Sequence, residues 1–453
     1  MNNSLCFVLM PFGKKPDGAG RIINFDEVYK QIIAPAIADA GLEPIRADEE
    51  QAGGIIHKAM FERLILCAYA VADLTTANAN VFYELGVRHA VRPWRTVAMF
   101  TEGMRLPFDV NYLRSIPYAL DDAGIPRDAD ANRKKLADSL KAARNEANHP
   151  SIDSPVFQLL DYLSPVKVAN DKTDLFRQQA KYSADARRAF AAARKQKSTT
   201  AVNDVLKGLK PLGELEAGVL VDAMISYRAL EAWPEMVAFI DQLPTEIRET
   251  VMVQEQRGLA LNRAGRGDEA EETLVSLISK RGASSETLGI LGRVYKDRWE
   301  VARDAGNEDE ARALLDKAIE TYLKGFDADI RDAYPGVNAV TLMELHDPPD
   351  VRRGELLHVV RYAVTRKMAA RTPDYWDFAT LLELEVVARD QAAATDALGK
   401  ALAAVGEAWW LRSTLRNLGL IRKARARRGE TLPWADDAER KLRKKAGLDE
   451  TLG

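Results

Sequence analysis

Cysteine is nearly absent from this 453-residue chain; Cys6 and Cys67 are its only two, and both lie in apolar surroundings. That excludes a disulfide framework and fits a reducing, cytoplasmic setting. The five histidines are scattered, with no pair at ligand spacing, so neither a structural metal nor a cofactor is expected. No apolar stretch reaches the roughly 18 residues that a membrane span needs, so no membrane association is expected. A formal charge of −3 provides no global pull toward nucleic acid, which is not expected as a partner. The opening MNNSLCFVLMPFGKK has an apolar centre but no basic segment ahead of it and no small-residue cleavage site behind it. It reads as a first strand rather than a secretion signal.

What is present is ordinary globular composition, 47% apolar and 29% charged, in a chain long enough for two or three cores. Up to about residue 125, apolar runs alternate with helical patterns. Strands are expected at Leu5–Met10, Leu42–Ile45, Tyr69–Leu74 and Thr96–Phe100. Helices are expected from a cap at Asn24 to Gly41, with a kink or a restart at Pro35, then from Gly54 to Cys67 and from Val81 to Val91. Alternation with short connections implies an α/β domain, a parallel sheet covered by helices on both faces. Ligands bind such sheets outside the carboxyl ends of the strands. Pro11 and Phe12, Arg46 and Asp48, Asp73, and Thr101 fall at those ends. Between the first strand and the first helix, Lys14 to Ile23 reads as a polar loop carrying Lys15, Gly18, Gly20 and Arg21. Its glycines and cations suit a phosphate, although the spacing matches no phosphate loop and a plain surface loop has the same composition.

The stretch VADLTTANANVFYELGVRHA, residues 71–90, places Asp73 at a strand end and Asn78, Asn80, Tyr83 and Glu84 around the start of a helix. With Asn80 as N-cap, Glu84 lies about one turn in, where the positive helix end favours its ionised form. A carboxylate so placed can attack an anomeric carbon or stabilise an oxocarbenium ion, with Tyr83 orienting it and Asp73 holding a base or a sugar hydroxyl. Capping and dipole effects alone also place Glu in a first turn and Asp at a strand end, so residue chemistry leaves both readings open.

This stretch resembles the signature of the nucleoside 2-deoxyribosyltransferase-like superfamily. The apolar strand running into Met10-Pro11-Phe12, the Arg46-Ala47-Asp48 that follows the second strand, and Leu106-Pro107-Phe108-Asp109, with Arg114 and Tyr118 beyond, match its other marks in order. The resemblance spans roughly residues 4–120. It implies a flavodoxin-like fold related to the TIR domain, Glu84 as glycosyl nucleophile, and Asp73 as a residue that helps hold the nucleoside. Ala79 stands where the superfamily often has proline, and a large helical region follows. Hydrolysis of an N-glycosidic bond, or ligand sensing, fits such a fused domain better than base exchange.

Residues 126–200 read as a helical connector. The segment 176–198 has seven Lys or Arg against Asp185 alone; a solvated connecting helix accounts for this. From 201 to 445 paired amphipathic helices are expected. Gly258 and Gly292 are 34 residues apart, the tetratricopeptide period. Leu261, Ala270, Leu274 and Leu277 fall at the packing positions of one repeat, and Tyr295, Ala311, Leu315 and Ala318 at those of the next, whose glycine-to-alanine spacing is longer by seven. Tyr227 marks a degraded earlier repeat, and Trp376 with Ala392 a later one. ETLGILGRVYKDRWE, YLKGFDAD and YPGVNAVTL, within Ser285–Met343, resemble the TRAFs-binding region of apoptosis-signal-regulating kinases. That resemblance implies a signalling or defence scaffold with a protein partner on its helices; kinase motifs are not seen. The basic run from Arg412 to Arg428 reads as an exposed face, with Trp409 and Trp410 beside it as a possible docking surface.

Three functions are therefore expected to compete: a base-releasing N-glycosidic hydrolase using Glu84, Asp73 and Tyr83, a nucleotide-sensing scaffold, and a TIR-like NAD-cleaving enzyme. In each, a nucleotide or nucleoside contacts Pro11, Phe12, Lys14, Lys15, Arg21, Arg46, Asp48, Asn78, Asn80, Phe108 and Asp109.

Overall fold

The computed structural model describes residues 4–17, 20–46, 56–104, 110, 115–145, 152–160, 162–163, 170–370, 373–406 and 408–449. Asp48, Phe108 and Asp109 lie outside these. The chain forms two compact units, residues 1–232 with 241–250 and residues 233–240 with 251–453.

The first unit contains a five-stranded parallel sheet of β1 (Ser4–Leu9), β4 (Leu42–Arg46), β5 (Tyr69–Asp73), β6 (Thr96–Thr101) and β7 (Ser115–Tyr118), in the order β4-β1-β5-β6-β7. Counting only these strands, the order is 2-1-3-4-5, the flavodoxin-like arrangement, with its reversal between β1 and β5. Period-2 alternation divides the core. Cys6, Val8 and Met10 pack on one face with Ile32, Ile37 and Leu140, while Leu5, Phe7 and Leu9 pack on the other with Leu64, Val81 and Leu85.

The expected polar loop after β1 is instead an antiparallel hairpin of β2 (Lys14–Pro16) and β3 (Ile22–Asn24), because Ile23 is apolar enough to be drawn into the core. The Asn24 side chain then accepts from Glu27 N–H and starts α1 (Phe25–Val28). A π-helical segment, Tyr29–Ile33, separates α1 from α2 (Ala34–Asp39). The wide turn lies just ahead of Pro35, which has no N–H to continue the regular ladder. On the opposite face are α3 (Ile56–Leu66) and α4 (Ala79–Val91). The buried Arg88 of α4 donates to the carbonyls of Leu64, Cys67 and Ala68, satisfying the open end of α3.

The sheet layer does not stop near 125. Helix α5 (Ala129–Asn145) buries Leu136 and Leu140 against the sheet. Asp153 accepts from Thr96 N–H at 2.8 Å, and Ser154 donates to His89 O at 2.7 Å. The expected connector is therefore partly the cover of the sheet. Further along come α6 (Pro155–Leu159), α7 (Asn170–Lys195), α8 (Thr199–Lys207) and α9 (Ala217–Ala229). Arg194 of α7 pairs with Asp222 of α9 at 2.8 Å. Then follow α10 (Trp233–Asp241) and α11 (Thr245–Arg248).

The helices of the second unit after α10 pack as successive neighbours: α12 (Val251–Arg263) with α13 (Gly267–Arg281), α14 (Ser285–Asp304) with α15 (Glu308–Ala328), and α16 (Ala333–Glu344) with α17 (Arg353–Ala370). The series continues with α18 (Tyr375–Ala388) and α19 (Gln391–Ala403), then α20 (Ala408–Arg427) and α21 (Pro433–Lys445). A Cβ added at Gly258 would come within 2.7 Å of Leu274, and one at Gly292 within 2.8 Å of the Tyr322 ring, so both glycines set the approach of a helix pair. The longer second spacing is the longer helix, 20 residues in α14 against 13 in α12. In the later pair the expected Ala392 is exposed; Ala394, Ala397 and Ala401 face the core because they share one helical stripe. Trp410 is packed within 5.4 Å of Tyr375 and 6.0 Å of Trp376, which removes it from the proposed docking surface.

Candidate functional site

The register places the strand ends along one edge of the sheet: Val8 lies opposite Arg46, Leu9 opposite Ala72, Asp73 opposite Met99, and Thr101 opposite Tyr118. Two side-chain clusters form there.

The first surrounds Arg46. Its guanidinium pairs with Asp26 at 3.1 Å and stacks over the rings of Tyr29, at 4.4 Å, and Phe12, at 5.9 Å. Asp26 also accepts from Gly13 N–H at 3.3 Å. The turn after β1 is thereby tied to the end of β4. Pro11 is buried and Phe12 half-buried. Lys14 and Lys15 are exposed on the hairpin, and Arg21 pairs with Asp17 at 3.1 Å.

The second cluster surrounds Asp73, which is fully buried. One oxygen accepts from Thr75 N–H at 3.0 Å and the other from the Tyr118 hydroxyl at 2.9 Å. The Thr75 and Tyr118 hydroxyls are 2.9 Å apart, and Thr101 N–H donates to Thr75 Oγ1 at 3.0 Å. Burial pushes the Asp73 carboxyl up to about 6, against the opposing pull of these hydrogen bonds, and the same burial raises Tyr118 well above its ordinary value. The direct grip of Asp73 on a sugar, expected from sequence, is not available in this arrangement. Its oxygens are engaged inside the protein, where they hold the strand ends.

The helix carrying Glu84 begins earlier than expected. Asn78, not Asn80, is the N-cap: its Oδ1 accepts from Asn80 N–H at 3.0 Å and Val81 N–H at 3.3 Å. Two consecutive amides within reach decide the cap. Glu84 therefore lies in the second turn, where the dipole has faded. It is partly buried and has no ion pair or hydrogen bond among the described residues, and burial pushes its carboxyl up to about 7 rather than favouring its ionised form. Asn80 is exposed. Tyr83 is 59% exposed, its ring in a T-shaped contact with Phe61 at 6.3 Å between centroids, and no hydrogen bond joins it to Glu84 among the described residues.

Thr75, Asp26 and Tyr29 were not among the candidates, and Tyr118 was named only as a mark of the resemblance, with no role at the site. Thr75 was detectable, since two residues after an Asp is the Asx-turn spacing. Asp26 and Tyr29 have no local signal and reach the site only through the packing of the first helix on the sheet. Chemically, the edge offers a cation held on aromatic faces, a hydroxyl network, and a carboxyl able to change charge near neutral pH.

Residues 81–439 match the family model described as MAP3K TRAFs-binding domain. The chain is 28% identical over 223 residues to the mitogen-activated protein kinase kinase kinase nsy-1 of Caenorhabditis elegans, and 25% identical over 221 residues to mitogen-activated protein kinase kinase kinase 15 of Mus musculus. These alignments cover 45% and 46% of this chain but only 14% and 16% of the two relatives. A solved tetratricopeptide repeat protein from Parabacteroides merdae aligns over 57% of this chain and 93% of its own, at a TM-score of 0.34 and 10% identity, a loose likeness.

Proposed function

Because the chain belongs to the MAP3K TRAFs-binding domain family, we propose that it is a signalling scaffold whose helical region docks a protein partner. In this reading the edge of the sheet senses a nucleotide or nucleoside. The observation that carries it is the extent of the match, 81–439, which runs from α4 of the sheet layer through nearly all of the helical pairs. Stacked pairs bury their faces only against neighbours, and so leave extended outer surfaces for recognition.

A second reading, base release from a nucleotide or from NAD, is favoured by one feature. Glu84 is a partly buried carboxyl held at about 7 with no paired cation among the described residues. Such a group exchanges a proton readily near neutral pH.

One experiment separates the two. The purified chain is dialysed against pooled nucleosides, nucleotides and NAD, and bound ligand and free base are both measured by chromatography. The scaffold reading expects saturable binding without free base; base release that disappears in Glu84→Gln replaces it with the hydrolase. For the docking half, a purified TRAF protein is titrated into the full chain by calorimetry. A saturable heat is expected, and a flat titration sinks that half.

A further inference from the structure

Helix α20 carries Arg412, Arg416, Gly419 and Lys423 on one stripe, and these residues line an open groove of about 610 Å³ with parts of α14 and α21. Six cations and three carboxylates line it. Some of the cations have partners: Arg416 pairs with Asp297 at 3.0 Å and also with Glu300, and Arg422 pairs with Glu439 at 3.0 Å. Arg412 and Lys423 are exposed and form no ion pair among the described residues.

One further feature is not explained by helix stability. Gly419 lies in the helix interior, where glycine is less stable than alanine. A Cβ added there would meet only Glu439 Oε1, at 3.7 Å, so no neighbour demands glycine. Its effect is to keep the floor of the groove low between the two cations.

We propose that this groove docks an acidic peptide segment of a partner protein, an inference that rests on the scaffold reading of the helical region. Arg412 and Lys423 are eleven residues apart on the helix, about 16 Å at the helical rise, which an extended peptide spans in about five residues. The matching ligand therefore has two carboxylates about that far apart, with an apolar side chain between them for Leu448, which is 37% exposed in the lining. Nucleic acid fits less well. Glu300, Glu439 and Asp449 in the walls oppose a continuous phosphate chain, and the molecule as a whole is weakly acidic.

The test uses the full chain and fluorescence anisotropy with three labelled probes: a short peptide with two glutamates flanking a leucine at that spacing, its glutamine counterpart, and a short oligothymidylate. The acidic peptide is expected to bind roughly tenfold or more tightly than the glutamine peptide, and to weaken as salt rises. Arg412→Glu with Lys423→Glu should remove that advantage without changing the melting temperature, since both side chains are exposed. Gly419→Phe should block binding without altering charge, while Gly419→Ala should melt no lower than the parent. Equal affinity for the two peptides, indifference to the charge reversal, or preference for the oligonucleotide overturns the proposal. If the double variant still titrates with a TRAF protein, that partner docks elsewhere and the scaffold reading survives. If the acidic peptide binds but no TRAF protein does, the groove stands and the scaffold reading loses its partner.

Discussion

Tyr118 illustrates how one hydroxyl can hold an edge of a sheet together. It donates to the buried Asp73 and lies within hydrogen-bond distance of Thr75, so removing it leaves a carboxylate oxygen without a partner in a dry site. Tyr118→Phe is expected to destabilise the first unit by about 1–3 kcal/mol and to raise the Asp73 carboxyl further; urea unfolding checks the first and carboxyl NMR titration the second. An unchanged midpoint would mean that Asp73 is satisfied by other groups. Glu84 behaves differently, because burial alone sets its titration near 7. If base release occurs with Glu84 as the attacking carboxylate, the rate should climb as pH rises through about 7 and level off above it. A rate that falls across this range assigns the protonated form, and with it a general-acid role.

Among the elements, α4 and α14 depend on different residues. The cap of α4 is the Asn78 side chain, which accepts two backbone amides. Asn78→Ala should cost about 1 kcal/mol, whereas Asn80→Ala should be close to neutral; thermal melting of the two variants distinguishes them. Helix α14 approaches α15 closely because Gly292 has no side chain. Gly292→Ala forces a Cβ to within 2.8 Å of the Tyr322 ring, and overpacking of that kind costs about 1–3 kcal/mol. A melting temperature of the second unit equal to the parent's would show that Tyr322 moves aside freely.

For the whole molecule, buried carboxyls should set the pH response of both units. In the first unit Asp73, Glu84 and Asp153 are raised by burial to about 6, 7 and 7. Each contributes stability that is complete below its ordinary carboxylate range and lost as pH rises through those values. His89 opposes them: burial lowers it to about 4, so its contribution is present above its ordinary 6.5 and lost as pH falls. In the second unit Asp297 is lowered beside Arg293 and Arg416, and Glu271 beside Lys317, so their contributions disappear only in acid. Between pH 5 and 8 the first unit should therefore lose stability as pH rises, and in the second the buried Glu383, raised by desolvation, should act in the same direction. Calorimetric melting at several pH values checks this, and Glu84→Gln should flatten the first unit's slope.

Local chemistry was enough to read the four leading strands, the helices between them, the 34-residue spacing of Gly258 and Gly292, and the approximate position of the sheet's carboxyl edge. Hydrophobic period, caps and small residues act over a few neighbours, so they are written in the sequence itself. Three-dimensional packing decided the rest: that Asp73 faces inward to Tyr118 from 45 residues away, that Arg46 rests on Tyr29 and Phe12, and that α5 covers the sheet rather than linking it onward. Those contacts join segments far apart in the chain, and the free energy that selects them is the burial of a shared core. Window-scale patterns do not carry that term.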